Sequence, residues 1–248
     1  MSQVILITGA SRGIGAATAL LAARAGYAVA VNYSANSLAA DEVVRLIRQH
    51  GGSAITVQAD VAEESQVLAM FEKVDAKLGR LTALVNNAGV VDQTARVDGM
   101  SVARLKRMFD INVIGTLVCA REAVKRMSKL YGGAGGAIVN VSSVAARLGA
   151  PGQYVDYAAA KGAVDVFTLG LAKEVAAEGI RVNAVRPGII ETDIHASGGL
   201  PDRARQMAPQ VPMQRAGTAE EVARSILWLL SYESSYTTGA LLDIGGGR

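Results

Sequence analysis

Short runs of β-branched and aliphatic residues recur along the chain, and each is followed by a longer stretch whose apolar positions return every three or four residues. The short runs predict strands over 4–8, 28–32, 54–58, 83–86, 137–141, 181–185 and 240–244. The first six are nearly continuous in Val, Ile, Leu and Ala, with no polar alternation, which is the pattern of strands covered on both faces. The longer stretches predict helices over 13–25, 37–50, 63–78, 102–130, 157–177 and 219–230. Ser37 and Thr218 stand as N-caps, and Gly26 and Gly79 end two of the helices. So regular a βα alternation specifies an α/β fold, a doubly wound parallel sheet of about seven strands with helices on both faces, spanning 1–248 as one domain.

In such a sheet, ligands bind outside the carboxyl ends of the strands, so the residues that follow each strand are the ones to inspect. The segment 193–212, with Gly198, Gly199, Pro201, Pro209 and Pro212, breaks the alternation and is expected to form a substrate lid near that end. Its Ile194, Leu200 and Met207, with Met213 nearby, suggest an apolar pocket wall. With 50% hydrophobic and 19% charged residues the chain can build a large core, which excludes a disordered protein. Its 27 glycines have no three-residue period, so they serve turns and close backbone approaches rather than a collagen helix.

The formal charge is +3 and the basic residues are scattered, which speaks against a nucleic-acid or membrane surface. One cysteine, Cys119, forms no internal disulfide, and the isolated His50 and His195 make no metal cluster. The start MSQVILITGA lacks a basic leader, and no apolar run approaches a membrane span, so a cytoplasmic protein is expected.

Strand one runs into Thr8-Gly9-Ala10-Ser11-Arg12-Gly13-Ile14-Gly15 and then directly into a helix. Glycines there let the backbone approach a pyrophosphate, whose charge the helix N-terminus favours. The same residues match the G-x-S-x-G elbow that would make Ser11 a hydrolase nucleophile. Against that reading, only ten residues precede Ser11, and the one late histidine, His195, lies in the Gly/Pro-rich insertion. Tyr157 and Lys161 are four apart at a helix start, so they share a face, and a nearby ammonium favours the phenolate. Ser142-Ser143 follow strand five, Asn86-Asn87-Ala88-Gly89 close strand four, Arg186-Pro187-Gly188 close strand six, and Asn112 lies inside a long helix.

In this order, T-G-x-x-x-G-x-G, N-N-A-G, the helix Asn, the strand-end Ser, Y-x-x-x-K and P-G-x-x-x-T resemble the short-chain dehydrogenase/reductase family across nearly the whole chain, with a general likeness to its glucose-dehydrogenase and 3-oxoacyl-carrier-protein-reductase members. The resemblance implies a Rossmann-type fold and a hydride transfer between NADP(H) and an alcohol or carbonyl substrate of sugar, ketone or 3-oxoacyl type. It implies a tetrad of Asn112, Ser143, Tyr157 and Lys161. Tyr157 would be the general acid/base, Lys161 would lower its pKa and hold the nicotinamide ribose, Ser143 would polarise the C–O group, and Asn112 would help hold a relay water. The cofactor contacts it implies are Gly9, Ser11, Arg12, Gly13, Ile14, Gly15, Asn32, Asp60, Val61, Asn87, Ala88, Gly89, Pro187, Gly188, Ile190 and Thr192, together with Tyr157 and Lys161.

NADP is favoured over NAD because strand two ends in Asn32-Tyr33-Ser34 without a carboxylate, while Arg12 offers a guanidinium to a phosphate. A homotetramer is implied as well. Two other readings stay open, a dinucleotide-binding regulatory protein and a lyase or epimerase on the same scaffold. One departure stands out: Ser143 to Tyr157 is one residue longer than the family's usual spacing, which leaves Ser142 and Ser143 as alternatives. Asp156, next to Tyr157, would raise the phenol pKa if its carboxylate pointed inward.

Overall fold

The computed structural model describes residues 3–192, 198–200 and 202–248. Asp193, Ile194 and His195, with Ala196, Ser197 and Pro201 of the expected lid, lie outside the described residues. Strands β1 (Val4–Ile7), β2 (Ala28–Tyr33), β3 (Ala54–Gln58), β4 (Ala83–Asn86), β5 (Gly136–Val141), β6 (Ile180–Pro187) and, after two short strands, β9 (Leu241–Ile244) form one sheet in the order β3-β2-β1-β4-β5-β6-β9. Every pair is parallel. The two short strands, β7 (Ile190–Glu191) and β8 (Gly217–Thr218), pair with each other beside the carboxyl edge.

Alternate side chains of each strand point to opposite faces, and both faces are apolar. Ile5, Ile7, Val29, Val31 and Val85 meet α1 (Gly13–Arg24), α2 (Ser37–Gln49) and, late in the chain, α9 (Ala219–Leu230). Val4, Leu6, Ala30, Leu84 and Ile138 meet α3 (Glu64–Leu78), α5 (Gly115–Met127) and α7 (Val155–Val175). That explains why the strands read as continuous hydrophobic runs. Of the described helices, none is long and apolar enough to cross a membrane.

The expected single helix over 102–130 is divided. Helix α4 (Val102–Phe109) passes through a π-helical turn, Asp110–Ile114, before α5 begins. The N-cap of α2 is Asn36, whose Oδ1 accepts from Ala39 N at 3.0 Å, and Ser37 is the first helical residue. Thr218 does cap α9, reciprocally with Glu221. Within 198–212, a short helix α8 (Arg203–Met207) leads to a 3-10 turn at Ala208–Gln210, and α6 (Ala145–Leu148) is another short helix after β5.

The end of α9 is closed by an arginine from β6. Arg181 Nη1 donates to Leu229 O, Ser234 Oγ and Thr237 O, and Nη2 to Leu230 O and Ser231 O, at 2.7–3.3 Å. A cation placed on the carbonyls of a helix C-terminus satisfies groups that have no partner within the helix. We expect Arg181→Met to cost about 3 kcal/mol through those orphaned carbonyls, read as a lower midpoint in urea with an unchanged slope.

Candidate active site

The sheet order reverses between β1 and β4, and a cleft of about 1010 Å³ opens there, above the carboxyl edge. Its glycine-rich wall depends on backbone that other residues cannot easily adopt: Gly9 and Gly13 have φ of +60° and +55°. Gly15 is a packing residue, since a Cβ there would stand 2.5 Å from both Asn87 Nδ2 and Gly9 O. Asn87 Nδ2 donates to Thr8 O and Gly9 O, and Thr8 Oγ1 accepts from the amides of Asn87 and Ala88. Asn32 Oδ1 accepts from Gly9 N, while its Nδ2 donates to Val57 O and Ala59 O. Arg12, the N-cap position of α1, makes no side-chain cap, and it lines the cleft together with Gly13 and Ile14 of the first turn.

Asn32 lines the cleft and also holds the glycine loop through its side chain, and Tyr33, Ser34, Ala35 and Asn36 line the cleft beside it. Gly15 and Asn112 do not line the cleft, whereas Gly9, Ser11, Arg12, Gly13, Ile14, Asp60, Val61, Asn87, Ala88 and Gly89 do. Pro187, Gly188, Ile190 and Thr192 line it as well. Asp60 is partly spoken for, because its Oδ1 accepts from Ala62 N. Thr8 was part of the loop motif, but nothing in its sequence context marked it as the residue that ties the loop to the end of β4. Asn36, the N-cap of α2, also lines the cleft, though its sequence context marks it only as a cap.

On the opposite wall, the β5–β6 ladder continues past β5: Ser142 N donates to Val185 O and Val144 N to Pro187 O. That alternation separates the two serines. Ser142 is buried and its Oγ donates to Lys161 O, whereas the half-buried Ser143 places its hydroxyl against the Tyr157 phenol. The geometry thus favours Ser143 as the serine presented to the cleft. In the turn before α7, Ala150 is left-handed at φ +44° and Gly152 at φ +69°.

Tyr157 and Lys161 lie one turn apart on α7, and the Lys161 ammonium sits 5.6 Å from the centre of the Tyr157 ring while donating to Val141 O at 2.8 Å. Burial pushes the Tyr157 phenol up to about 12, against a pull downward from the Ser143 hydroxyl. Burial also lowers Lys161 to about 8, opposed by the Asp165 carboxylate one turn further along. The Lys161 ammonium thus lies over the ring face, and burial is the larger influence on the phenol.

Asp156 is buried but does not line the cleft. Its carboxylate is gripped by Arg104 of α4 at 2.8 and 3.2 Å, and Arg104 also donates to Gln93 O, so the start of α7, α4 and the loop after β4 are held together. Asn112, in the π turn, closes the same corner: its Oδ1 accepts from Val90 N, and its Nδ2 donates to Val90 O and Met108 O. Gly89 fits between Asn112 and Lys161, since a Cβ would lie 2.8 Å from Asn112 Oδ1 and 3.4 Å from Lys161 Nζ.

A glycine-loop cleft at the switch point of a parallel sheet, with a phenol, a hydroxyl and an ammonium on its far wall, defines a dinucleotide-binding oxidoreductase of the α/β class. Comparison with known proteins agrees. Residues 9–248 match the family described as Enoyl-(Acyl carrier protein) reductase. The chain is 57% identical over 245 residues to an uncharacterized oxidoreductase of Escherichia coli, YgfF, covering 99% of each chain. It is 41% identical to a 3-oxoacyl-[acyl-carrier-protein] reductase of Synechocystis, covering 99% of this chain and 96% of that one. A solved Serratia marcescens short-chain dehydrogenase/reductase mutant superposes with a TM-score of 0.90 at 31% identity, covering 99% of this chain and 97% of the other. The chain belongs to the short-chain dehydrogenase/reductase family and is an NAD(P)-dependent dehydrogenase/reductase.

Asp165 shares its carboxylate with Arg186 at 2.9 Å, and Arg186 reaches Asp243 on β9 as well. Asp165→Asn removes the negative charge that holds the Lys161 pKa up, so that pKa should fall below about 8. We expect the alkaline limb of the reductive kcat profile to move to lower pH, which steady-state rates across pH 6–10 would check.

Proposed function

We propose that the chain interconverts an alcohol and a carbonyl with NADP(H), with Tyr157 as the general acid/base. The observation that carries this reading is the placement of the Ser143 hydroxyl, the Tyr157 phenol and the Lys161 ammonium on one wall of the cleft that the glycine loop opens. The residues fit a dinucleotide. Gly9 and Gly13 keep their side of the cleft free of side chains, the first turn of α1 would offer its amides to a pyrophosphate, and Thr192 stands 3.4 Å from the Cβ position of Gly13. When bound, the nicotinamide supplies or accepts the hydride.

Ser143 orients the substrate oxygen by hydrogen bonding. Tyr157, protonated at neutral pH because burial raises its pKa, donates a proton to the carbonyl oxygen in reduction and takes it back in oxidation. Lys161, charged below about pH 8, would hold the ribose hydroxyls of a bound dinucleotide, and its charge favours a developing phenolate. Asn112 acts from beneath the wall by fixing the loop at Gly89 and Val90. The preference for NADP is supported by the exposed Arg12 and by Ser34 and Asn36 at the mouth, where β2 offers no carboxylate to repel a 2′-phosphate.

Assembly as a homotetramer is supported by apolar side chains left exposed on α7 and in the α4–α5 region, among them Val166, Leu169, Phe109 and Ile114. Trp228, Tyr232 and Tyr236 near the C-terminus are exposed too. Light scattering would then return four chain masses.

The test of the reading is the consumption of NADPH absorbance with a panel of ketones, sugars and 3-oxoacyl thioesters. Tyr157→Phe should lower kcat about 10²–10⁴-fold with NADPH affinity kept. Arg12→Ser should erode the preference for NADPH over NADH about tenfold. A wild-type rate in Tyr157→Phe would remove the phenol from the mechanism.

A further inference from the structure

Most arginines in this protein have identifiable structural partners. Arg104, Arg126, Arg186 and Arg215 end on carboxylates, and Arg181 ends on helix carbonyls. Arg203 of α8 is different. Its Nη2 donates to Gln153 Oε1 at 2.6 Å, and its guanidinium lies over the Tyr154 ring, 5.3 Å from the centroid. Both partners belong to the turn that leads into Tyr157, and both are neutral. They fix the direction of the guanidinium, and neither supplies a negative charge.

Arg203 lines the cleft on the substrate side, together with Arg107 of α4, and among the described residues neither meets a carboxylate in an ion pair. Asp92 is the one carboxylate side chain of that half of the wall among the described residues, and it lies close enough to Arg104 to act on that guanidinium instead. Ile111, Leu148 and Met207 share the wall. The chemistry on offer is a pre-oriented guanidinium fork next to apolar surface.

A planar fork held in place by neutral groups loses little freedom when it takes a carboxylate, and two parallel charge-assisted hydrogen bonds can form. We propose that the substrate is a hydroxy acid or oxo acid, its reacting carbon at Tyr157 and its carboxylate held by Arg203, with Arg107 adding positive potential. This rests on the oxidoreductase reading above and names the substrate class of the same site. The aliphatic residues of the wall take the hydrocarbon body. The turn that carries Gln153 and Tyr154 links the anion site to the catalytic helix, because Tyr157 follows it directly.

The test compares cyclohexanecarboxylate with cyclohexanecarboxamide, which have nearly the same shape and differ in charge, by calorimetric titration of the NADPH-loaded protein. The reduced cofactor is used because the oxidised ring would itself attract an anion. We expect the acid to bind at least tenfold more tightly than the amide. Arg203→Met should collapse that ratio to about twofold or less, and Arg203→Lys should keep part of it; NADPH affinity reports that each variant is folded.

A wild-type ratio near one, no acid binding at millimolar concentration, or a ratio that survives in Arg203→Met would each overturn the proposal. Turnover with neutral ketones separates the two claims. A protein that reduces ketones and ignores charge loses the carboxylate site, and one that selects the acid but transfers no hydride loses the oxidoreductase reading.

Discussion

Parallel strands that stop at one edge leave their last amides and carbonyls without ladder partners, and a ligand site at that edge cannot simply be filled with side chains. Here three short polar side chains close the edge from within. Asn32 spans the ends of β1 and β3, Thr8 takes the amides after β4, and Asn87 returns to the carbonyls of Thr8 and Gly9. All three carry most of their bonds within 3.2 Å and draw the glycine loop down onto the β4 loop. Gly15 then has no room for a Cβ, and Gly13 and Ile14 at the start of α1 line the cleft. The cofactor wall, the position of α1 and the open volume above the sheet all follow from this one bonded corner.

The charged groups around Tyr157 obey a second constraint. Burial alone keeps the phenol protonated and weakens the hold of Lys161 on its proton. Nearby carboxylates would reinforce the first effect and oppose the second. The fold treats them differently: Asp156 lies off the cleft and is paired with Arg104, and Asp165 is kept within reach of Lys161 while Arg186 shares it. Net influence on the site is thus set by which carboxylate is paired away from it and which is left facing it.

Much of the fold was legible because strands covered on both faces need unbroken apolar runs, and the seven runs from 4–8 to 240–244 are the seven strands of the sheet. The cleft residues were legible where a motif dictates backbone shape, as at Gly9 and Gly13. Legibility failed where the side-chain environment decides. Asn32 reads as a cofactor contact from its position at a strand end, and it does line the cleft, but nothing in its sequence context marks the bonds to Gly9, Val57 and Ala59 by which it holds the glycine loop. Ser142 and Ser143 are indistinguishable in sequence, and only the continued β5–β6 ladder sends one inward and one out. Arg203 lay in a segment whose composition said loop, and its direction depends on Gln153 and Tyr154, fifty and forty-nine positions earlier in the chain.

The π turn at Asp110–Ile114 is a matter of counting. Buried positions run Met108, Asn112, Thr116, Ala120 in steps of four, and an α-helix turns about 400° in four residues, so an uninterrupted helix would drift off that line. The wider turn takes up the surplus, which lets Asn112 face the Val90 corner while Gly115 presses on Val61 and Cys119 enters the core. What has to be preserved in this stretch is therefore its length. Losing one residue would restore a regular helix and rotate one of its two faces out of register with everything it touches.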